Sequence, residues 1–407
     1  MRSLFFLTLL LTLLHPAWGR KKLPILRSGS EQLSIREGRF FYKDIWGVSS
    51  KARPDVFTAN RFAGTQRIVF YSDRDSLAFV VKPGRTYDFV VLLNGTDSAF
   101  TRLSTRAGAQ PSLTPKLVYT SSRHKGAGPD TLRFRLDKNF YIHLPGKVNG
   151  SDSLDFLFDT GAGAVVVTSS LLKTKVKATL DGSVTNAGAD GIGQVQTSSG
   201  NKLEVGGLTW QNASFLAIDY QGFAFDAVLG WVAFENKVVE INYEKRWLIV
   251  RDAPGREAAE YARVDMKMLG GIPYVKCALT ANGRQSEGWF DLDTGSDGGL
   301  LIGQQFAAAG GLTHGLQRTG SAESRGSAGA VFRQNIYVLP TFKMGPYELY
   351  QLPLAINEAD PATGSPAENV GSGILKRFNW ILDFRNNVAY CKPNKFLYAP
   401  VSESVAK

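Results

Sequence analysis

The chain has 407 residues and a formal net charge of +11, and 43% of its residues are hydrophobic while 20% are charged. This globular balance excludes a disordered, collagen-like or coiled-coil chain, and two cysteines are too few for a small scaffold held by disulfide bonds. The basic residues are spread thinly, with no Lys/Arg block longer than Arg20-Lys21-Lys22, so no nucleic-acid partner is predicted.

The N-terminus has the pattern of a secretory signal. A short positive segment containing Arg2 precedes an apolar run, Leu4–Leu14, which is broken only by threonines. This run is shorter than the roughly 20 apolar residues of a membrane-spanning helix. Ala17 and Gly19 are small residues at the two positions that a signal peptidase reads. We expect residues 1–19 to be a cleaved signal peptide, and an uncleaved anchor is the alternative. The mature chain is then expected to be exported, to the periplasm or outside the cell, without stable membrane insertion.

Strand patterns dominate the segment after the signal. Runs of Val, Ile, Phe and Tyr separated by Gly, Asn and Pro are typical of β-strands, as in Arg67–Tyr71, Leu77–Val81 and Tyr87–Leu93. We expect residues 20–103 to form a small N-terminal β-rich accessory domain, and an inhibitory prosegment is the alternative. Residues 104–131 are rich in Gly, Pro, Ser and Thr and are predicted to be a linker.

The rest of the chain contains an internal repeat. In each copy an apolar strand ends in an aspartate, Leu154–Asp159 in the first and Gly288–Asp293 in the second, and Thr-Gly follows both. Downstream, Val228-Leu229-Gly230 of the first copy corresponds to Asn369-Val370-Gly371 of the second. Two copies with nearly equal internal spacing arise by chance far less often than one Asp-Thr-Gly.

The repeated motif predicts a pair of carboxyl groups at one site. Gly161 and Gly295 let a backbone N–H approach each carboxylate. Thr160 and Thr294 can hydrogen-bond across a two-fold axis and hold the two loops together. Like charges that close cannot both ionise, so one proton is shared. The ionised aspartate can then act as general base on a water while the protonated one acts as acid on a substrate carbonyl.

The Asp-Thr-Gly-Ala and Asp-Thr-Gly-Ser segments resemble the active-site signatures of aspartic peptidases, most closely the exported, two-lobe, retropepsin-like aspartyl proteases of bacteria. The resemblance implies a mainly β fold with two homologous β-barrel lobes, residues 132–255 and 256–395, and the active site between them. Residues 396–407 would form a C-terminal tail. It also implies a lytic water between Asp159 and Asp293 and endopeptidase activity on a protein or peptide substrate. No cofactor is implied, and a monomer is sufficient.

The same resemblance predicts flaps over the active site, and the sequence departs from the family pattern at a few positions. Hairpins near Gly188–Gly193 and Gly326–Gly329 are expected to cover the cleft, although the first of them carries no tyrosine. The second motif continues with Ser296 where the first has alanine. We expect the Ser296 hydroxyl to bond its carboxylate and make Asp293 the more readily ionised partner. Asn369 stands where the family usually has an apolar residue.

Asp291 is an acidic residue at an unexpected position. Because side chains alternate along a strand, Asp291 should face the cleft with Asp293, where the first copy has Leu157. Leu157 and Asp291 are therefore candidate substrate-binding residues. One interpretation of Asp291 is an acidic subsite that prefers a basic substrate residue. The other, which we favour, is a carboxylate neutralised by a nearby arginine or open to water.

Other constellations are weak. His124, His143 and His314 show no ligand spacing, so no metal site is predicted. Cys277 and Cys391 lie in strand-like runs, and export permits a disulfide between them without requiring one. The alternative to an endopeptidase is a non-catalytic peptide- or envelope-binding protein that retains the fold.

Overall fold

The computed structural model describes residues 23–37, 40–48, 50, 54–59, 64–105, 118–121, 128–220, 222–312, 314–360 and 367–401. The predicted signal peptide and most of the predicted linker lie outside these residues. Strands dominate the described part of the chain, and its α-helices are short, so the predicted mainly β fold is confirmed. Within the same residues, no helix combines the length and the apolar character that crossing a membrane requires.

The N-terminal residues form two four-stranded sheets with a hydrophobic core of their own. Their strands are β1 (Ile25–Ser28), β2 (Gln32–Glu37), β3 (Phe40–Gly47), β4 (Asp55–Thr58), β5 (Gln66–Tyr71), β6 (Ser76–Val81), β7 (Thr86–Leu93) and β8 (Asp97–Ser104). The strand orders are β1-β7-β8-β4 and β3-β2-β5-β6. Alternate residues of β7, Phe89 and Val91, are fully buried in this core because the side-chain period of a strand is two.

The first copy of the repeat builds a closed ring of strands. Its strands are β9 (Val118–Ser121), β10 (Asp130–Arg133), β11 (Arg135–Leu136), β12 (Ile142–Val148), β13 (Leu154–Asp159), β14 (Val165–Thr168), β15 (Gly182–Gly188), β16 (Gly191–Val205), β17 (Leu208–Ile218), β18 (Ala227–Gly230), β19 (Val238–Asn242) and β20 (Trp247–Arg251). Short 3₁₀ helices span Ser169–Lys173 and Trp231–Phe234. The order β12-β13-β18-β14-β17-β16 closes on itself because β12 also pairs with β16.

The second copy repeats this arrangement. Its elements are a 3₁₀ helix (Arg256–Glu260), β21 (Ala262–Leu269), β22 (Ile272–Ala281), β23 (Arg284–Asp293), β24 (Leu300–Ile302), α1 (Gln304–Gly310), β25 (Arg318–Arg325), β26 (Val331–Met344), β27 (Tyr347–Asn357), β28 (Asn369–Gly371), α2 (Ser372–Leu375), β29 (Phe378–Asp383) and β30 (Val388–Pro393). The order β22-β23-β28-β24-β27-β26 is likewise closed, by pairing of β22 with β26.

Six strands join the two copies. They follow the order β10-β20-β19-β29-β30-β21, to which each copy contributes three strands. At the centre, β19 and β29 are antiparallel, with Val239 opposite Leu382. One hydrophobic core cluster extends through both rings and includes Phe156 and Phe290. The two copies are therefore parts of one folded body.

The two cysteines are buried and are not joined by a disulfide. Cys277 lies in β22 and Cys391 in β30, and both carry free thiols. Burial raises the pKa of the Cys391 thiol to about 12 and holds the pKa of the Cys277 thiol well above its usual value. Both groups therefore stay protonated at neutral pH.

Candidate active site

The two Asp-Thr-Gly loops meet through their threonines. Thr160 Oγ1 donates a hydrogen bond to the Leu292 carbonyl oxygen and accepts one from the Thr294 N–H at 3.0 Å. Reciprocally, Thr294 Oγ1 donates to the Phe158 carbonyl oxygen at 2.8 Å and accepts from the Thr160 N–H at 3.0 Å. Both side chains are buried, so these bonds have no competition from water. The reciprocal bonds fix the two loops against each other.

The glycine of each loop faces the carboxyl group of the other. A Cβ added to Gly161 would lie 2.7 Å from Asp293 Cγ, and one added to Gly295 would lie 2.7 Å from Asp159 Oδ1. Each glycine also donates its backbone N–H to the aspartate of its own loop, at 2.8 Å in both copies. Only glycine fits at this approach, because any side chain would displace the opposite carboxyl group.

The Asp159 and Asp293 carboxyl groups are close enough to hydrogen-bond to each other. Burial raises the pKa of Asp159 well above its usual value, and repulsion by Asp293 raises it further. Burial also raises the pKa of Asp293, but hydrogen bonds to its ionised form oppose this rise. One proton is therefore retained by the pair, and the environment favours Asp293 as the ionised member.

The donor that favours ionised Asp293 is an amide and not the hydroxyl expected from the sequence. Asn369 Nδ2 donates to Asp293 Oδ2 at 2.7 Å, and this is the largest of the contributions that lower the Asp293 pKa. Among the described residues the Ser296 hydroxyl makes no hydrogen bond to this carboxylate, although the Ser296 backbone N–H contributes. Ser296 thus supports Asp293 through its backbone N–H, while the side-chain donor to this carboxylate is Asn369. Asn369 is in register with Asp291 on the parallel neighbour strand.

Asp291 lies beside the pair without a cation. No lysine, arginine or histidine among the described residues forms an ion pair with it, and its Oδ1 is buried with no hydrogen-bond partner there. Burial raises the pKa of Asp291 well above its usual value, and repulsion by Asp293 and Asp159 adds to the rise. The favoured interpretation, a carboxylate neutralised by an arginine or open to water, therefore finds no arginine in this part of the chain, while Asp291 is partly exposed.

Leu157, the counterpart of Asp291, lies in a small apolar cluster outside the main core. The cluster includes Val166 and Val228, and Tyr220 and Phe225 pack against it. Valines of β15 and β16, the strands of the first flap candidate, also pack there. The first hairpin therefore lies over the Leu157 side of the site.

The tips of the two hairpins that are candidates for flaps are joined to each other. Asp190, in the turn between β15 and β16, accepts hydrogen bonds from the Ala328 N–H at 2.9 Å and the Ala330 N–H at 2.7 Å. Asn186 Nδ2 donates to Ser327 Oγ at 2.9 Å. Ala328 and Ala330 belong to the turn between β25 and β26. The two hairpins thus close toward each other, and the carboxylate of one caps the turn of the other.

Two tyrosines near the pair were not singled out from the sequence. Burial raises the pKa of Tyr220, and the charges of Asp159, Asp190 and Asp293 raise it further. Burial and a set of four aspartates that includes the pair likewise raise the pKa of Tyr141. Tyr220 comes from the loop between β17 and β18, so a search of the flap sequence alone could not find it.

The arrangement can activate a water molecule between two carboxyl groups without a metal. In the described ranges, no three His, Cys, Asp or Glu side chains are grouped as metal ligands. In a comparison with known protein families, residues 144–232 match the family model for aspartyl protease. No curated protein matches the chain. The matched stretch contains Asp159 and Val228-Leu229-Gly230, so the first copy of the repeat carries the features of an aspartyl protease domain.

Proposed function

We propose that this chain is an aspartic endopeptidase that hydrolyses peptide bonds through a water held by Asp159 and Asp293. The observation that carries the proposal is the reciprocal bonding of Thr160 and Thr294, because it sets the two carboxyl groups within hydrogen-bonding distance. The match of residues 144–232 to the aspartyl protease family supports the same reaction class.

The chemistry follows from the unequal protonation of the pair. Asp293, ionised with help from Asn369, takes a proton from the water, and the water oxygen attacks the substrate carbonyl carbon. Asp159 gives its proton to the carbonyl oxygen, which forms a neutral tetrahedral diol. Collapse of the diol breaks the C–N bond while Asp293 passes its proton to the leaving nitrogen and Asp159 recovers one from a diol hydroxyl. The pair therefore ends in its starting protonation state.

We also propose that the two closed rings are the two lobes of this enzyme, 132–255 and 256–395. The first nineteen residues support export, to the periplasm or outside the cell. The separate core of the N-terminal sheets supports a folded accessory domain over a prosegment. Sequencing the N-terminus of the active protein would decide between these two, because a prosegment predicts cleavage between about Arg102 and Arg133.

The test is hydrolysis of a proteome-derived peptide library by the full mature chain from acidic to neutral pH. Asp159→Asn and Asp293→Asn should each abolish turnover, and a statine-type inhibitor should block the wild type. Asp152→Asn is the matched control, because it removes the same charge at the turn before β13, the end of that strand remote from Asp159.

Turnover that survives both Asp159→Asn and Asp293→Asn would exclude the mechanism. Absence of wild-type turnover at every pH would favour the alternative, a peptide- or envelope-binding protein that retains the fold without catalysis. Binding of library peptides without cleavage would then identify that activity directly.

A further inference from the structure

The two walls beside the paired aspartates are built from equivalent positions. In the first copy, Leu157 pairs with Val228 on β18, and Val228 pairs with Val166 on β14. Leu216 and Ile218 of β17 complete this face. All five residues of this first wall are apolar and buried.

The second copy has different chemistry at the same positions. The corresponding register pairs Asp291 with Asn369 on β28, and Asn369 with Leu301 on β24. Leu301 pairs with Ala355 on β27, and Asn357 is two residues further along the same strand. Leu157, Val228 and Ile218 of the first wall are thus replaced by an aspartate and two asparagines. We call these five residues, Asp291, Asn369, Leu301, Ala355 and Asn357, the second wall.

The two walls also differ in how they are covered. Tyr220 and Phe225 pack over the first wall together with the strands of its flap. In the second wall only Asn357 is buried, and the other four residues remain partly exposed. Asn357 Oδ1 and Asp291 Oδ1 are both buried atoms without a hydrogen-bond partner among the described residues. Two unpartnered acceptors in a partly open wall indicate a place for a donor that the described residues do not supply.

Acidic side chains surround the second wall. Besides burial, Asp291, Glu368 and Asp293 raise the pKa of Tyr274, which lies opposite Asp291 on β22. No cation among the described residues is paired with Asp291. The chain as a whole has a formal net charge of +11, so this acidic cluster is a local feature. An acceptor-rich wall with an acidic side chain favours a cationic donor, because a nearby cation stabilises the ionised carboxylate.

We propose that the second wall is a specificity subsite for the lysine or arginine side chain of a peptide substrate, with Asp291 as its acceptor. This inference rests on the proposed endopeptidase function. The aliphatic stem of the basic residue would lie on Leu301 and Ala355, as the stems of long cationic side chains do on apolar surfaces. Its charged end would restore ionised Asp291, which is otherwise an unpaired carboxyl group.

The first test needs only the wild-type chain. A series of peptides with one apolar residue on one side of the scissile bond would carry lysine, acetyl-lysine or norleucine on the other side. We expect kcat/KM for lysine to exceed that for the two uncharged residues about tenfold to a hundredfold, the range for one hydrogen-bonded charge. Equal values for the three peptides would overturn the inference while leaving the endopeptidase in place. If neither these three peptides nor any library peptide were cleaved, the result would instead count against the proposed function.

The second test assigns the preference to Asp291. Asp291→Asn and Asp291→Leu should bring the ratio of lysine to norleucine cleavage close to one or below it, and Asp291→Leu recreates the residue of the first wall. Asp152→Asn, which changes the net charge equally at a distance, should keep the wild-type ratio. A lysine preference that persists in both folded Asp291 variants would overturn the assignment. Should neither variant fold, the acetyl-lysine comparison with the wild type still decides whether a cationic subsite exists.

Discussion

Replacing Asn369 by valine, the residue of the first copy at that position, should move the pH profile of the proposed endopeptidase. Asn369 Nδ2 donates to Asp293 Oδ2 at 2.7 Å, and this bond stabilises the ionised carboxylate. Without the donor the pKa of Asp293 rises, so the general base is protonated at a higher pH than in the wild type. The acid limb of the kcat/KM profile, which reports this ionisation in the free enzyme, therefore shifts upward.

The size of the shift follows from the strength of one such bond. A hydrogen bond to a charged group contributes about 1.5–3 kcal/mol, and one pKa unit corresponds to about 1.4 kcal/mol. The expected shift is thus roughly one to two pH units, and the lower end applies because Asp293 is partly exposed. Since the two aspartates titrate together, the measured value belongs to the pair.

The assay is kcat/KM for one peptide measured from strongly acidic to neutral pH, with the unfolding midpoint recorded at each pH. Val228→Ala is the matched control, because it truncates the equivalent position of the first copy without removing a donor. Its acid limb should stay in place even where its rate falls. An acid limb for Asn369→Val that coincides with the wild-type limb would refute the assignment of Asn369 as the donor that ionises Asp293.

Three further predictions follow from the site. Gly161→Ala should abolish turnover, because the added Cβ would lie 2.7 Å from the carboxyl carbon of Asp293. Gly163→Ala should be tolerated, because the atom nearest to its added Cβ lies 3.8 Å away. Measuring kcat for both variants checks this prediction. Asp190→Ala should speed hydrogen exchange of the Ala328 amide by about tenfold or more, since that amide loses its acceptor; unchanged protection would mean that the flap tips do not rely on this carboxylate. Asp291→Asn should raise the unfolding temperature more at pH 7 than at pH 4. The reason is that a carboxyl group with a raised pKa stabilises the fold at low pH and loses that contribution as the pH rises toward its folded-state pKa. The loss is up to about 1.4 kcal/mol per pH unit. Equal gains in unfolding temperature at both pH values would contradict this prediction.

The sequence was sufficient where a feature is set by local pattern or by duplication. Apolar runs with a period of two predicted the mainly β fold, and the two Asp-Thr-Gly motifs predicted which residues come together. Thr160 and Thr294 interact as their symmetry implied, because equivalent residues on a two-fold axis must face each other.

Features that depend on long-range register could not be read in the same way. Asn369 was regarded as a departure in an apolar position, yet its parallel pairing with Asp291 directs its amide at the dyad. Ser296 is closer to Asp293 in sequence, but the side-chain donor to the Asp293 carboxylate is the Asn369 amide. Tyr220 reaches the site from a loop between two strands, and no periodic pattern specifies where such a loop folds.

The shared six-stranded sheet has a consequence for when the chain can act. Because β19 pairs with β29, and one core runs through both rings, the two halves depend on each other for their structure. A polypeptide that is still emerging from the ribosome holds Asp159 before the strand that carries Asp293 has been made. The proposed hydrolysis could therefore begin only after the second copy has been synthesised and its strands have paired with those of the first.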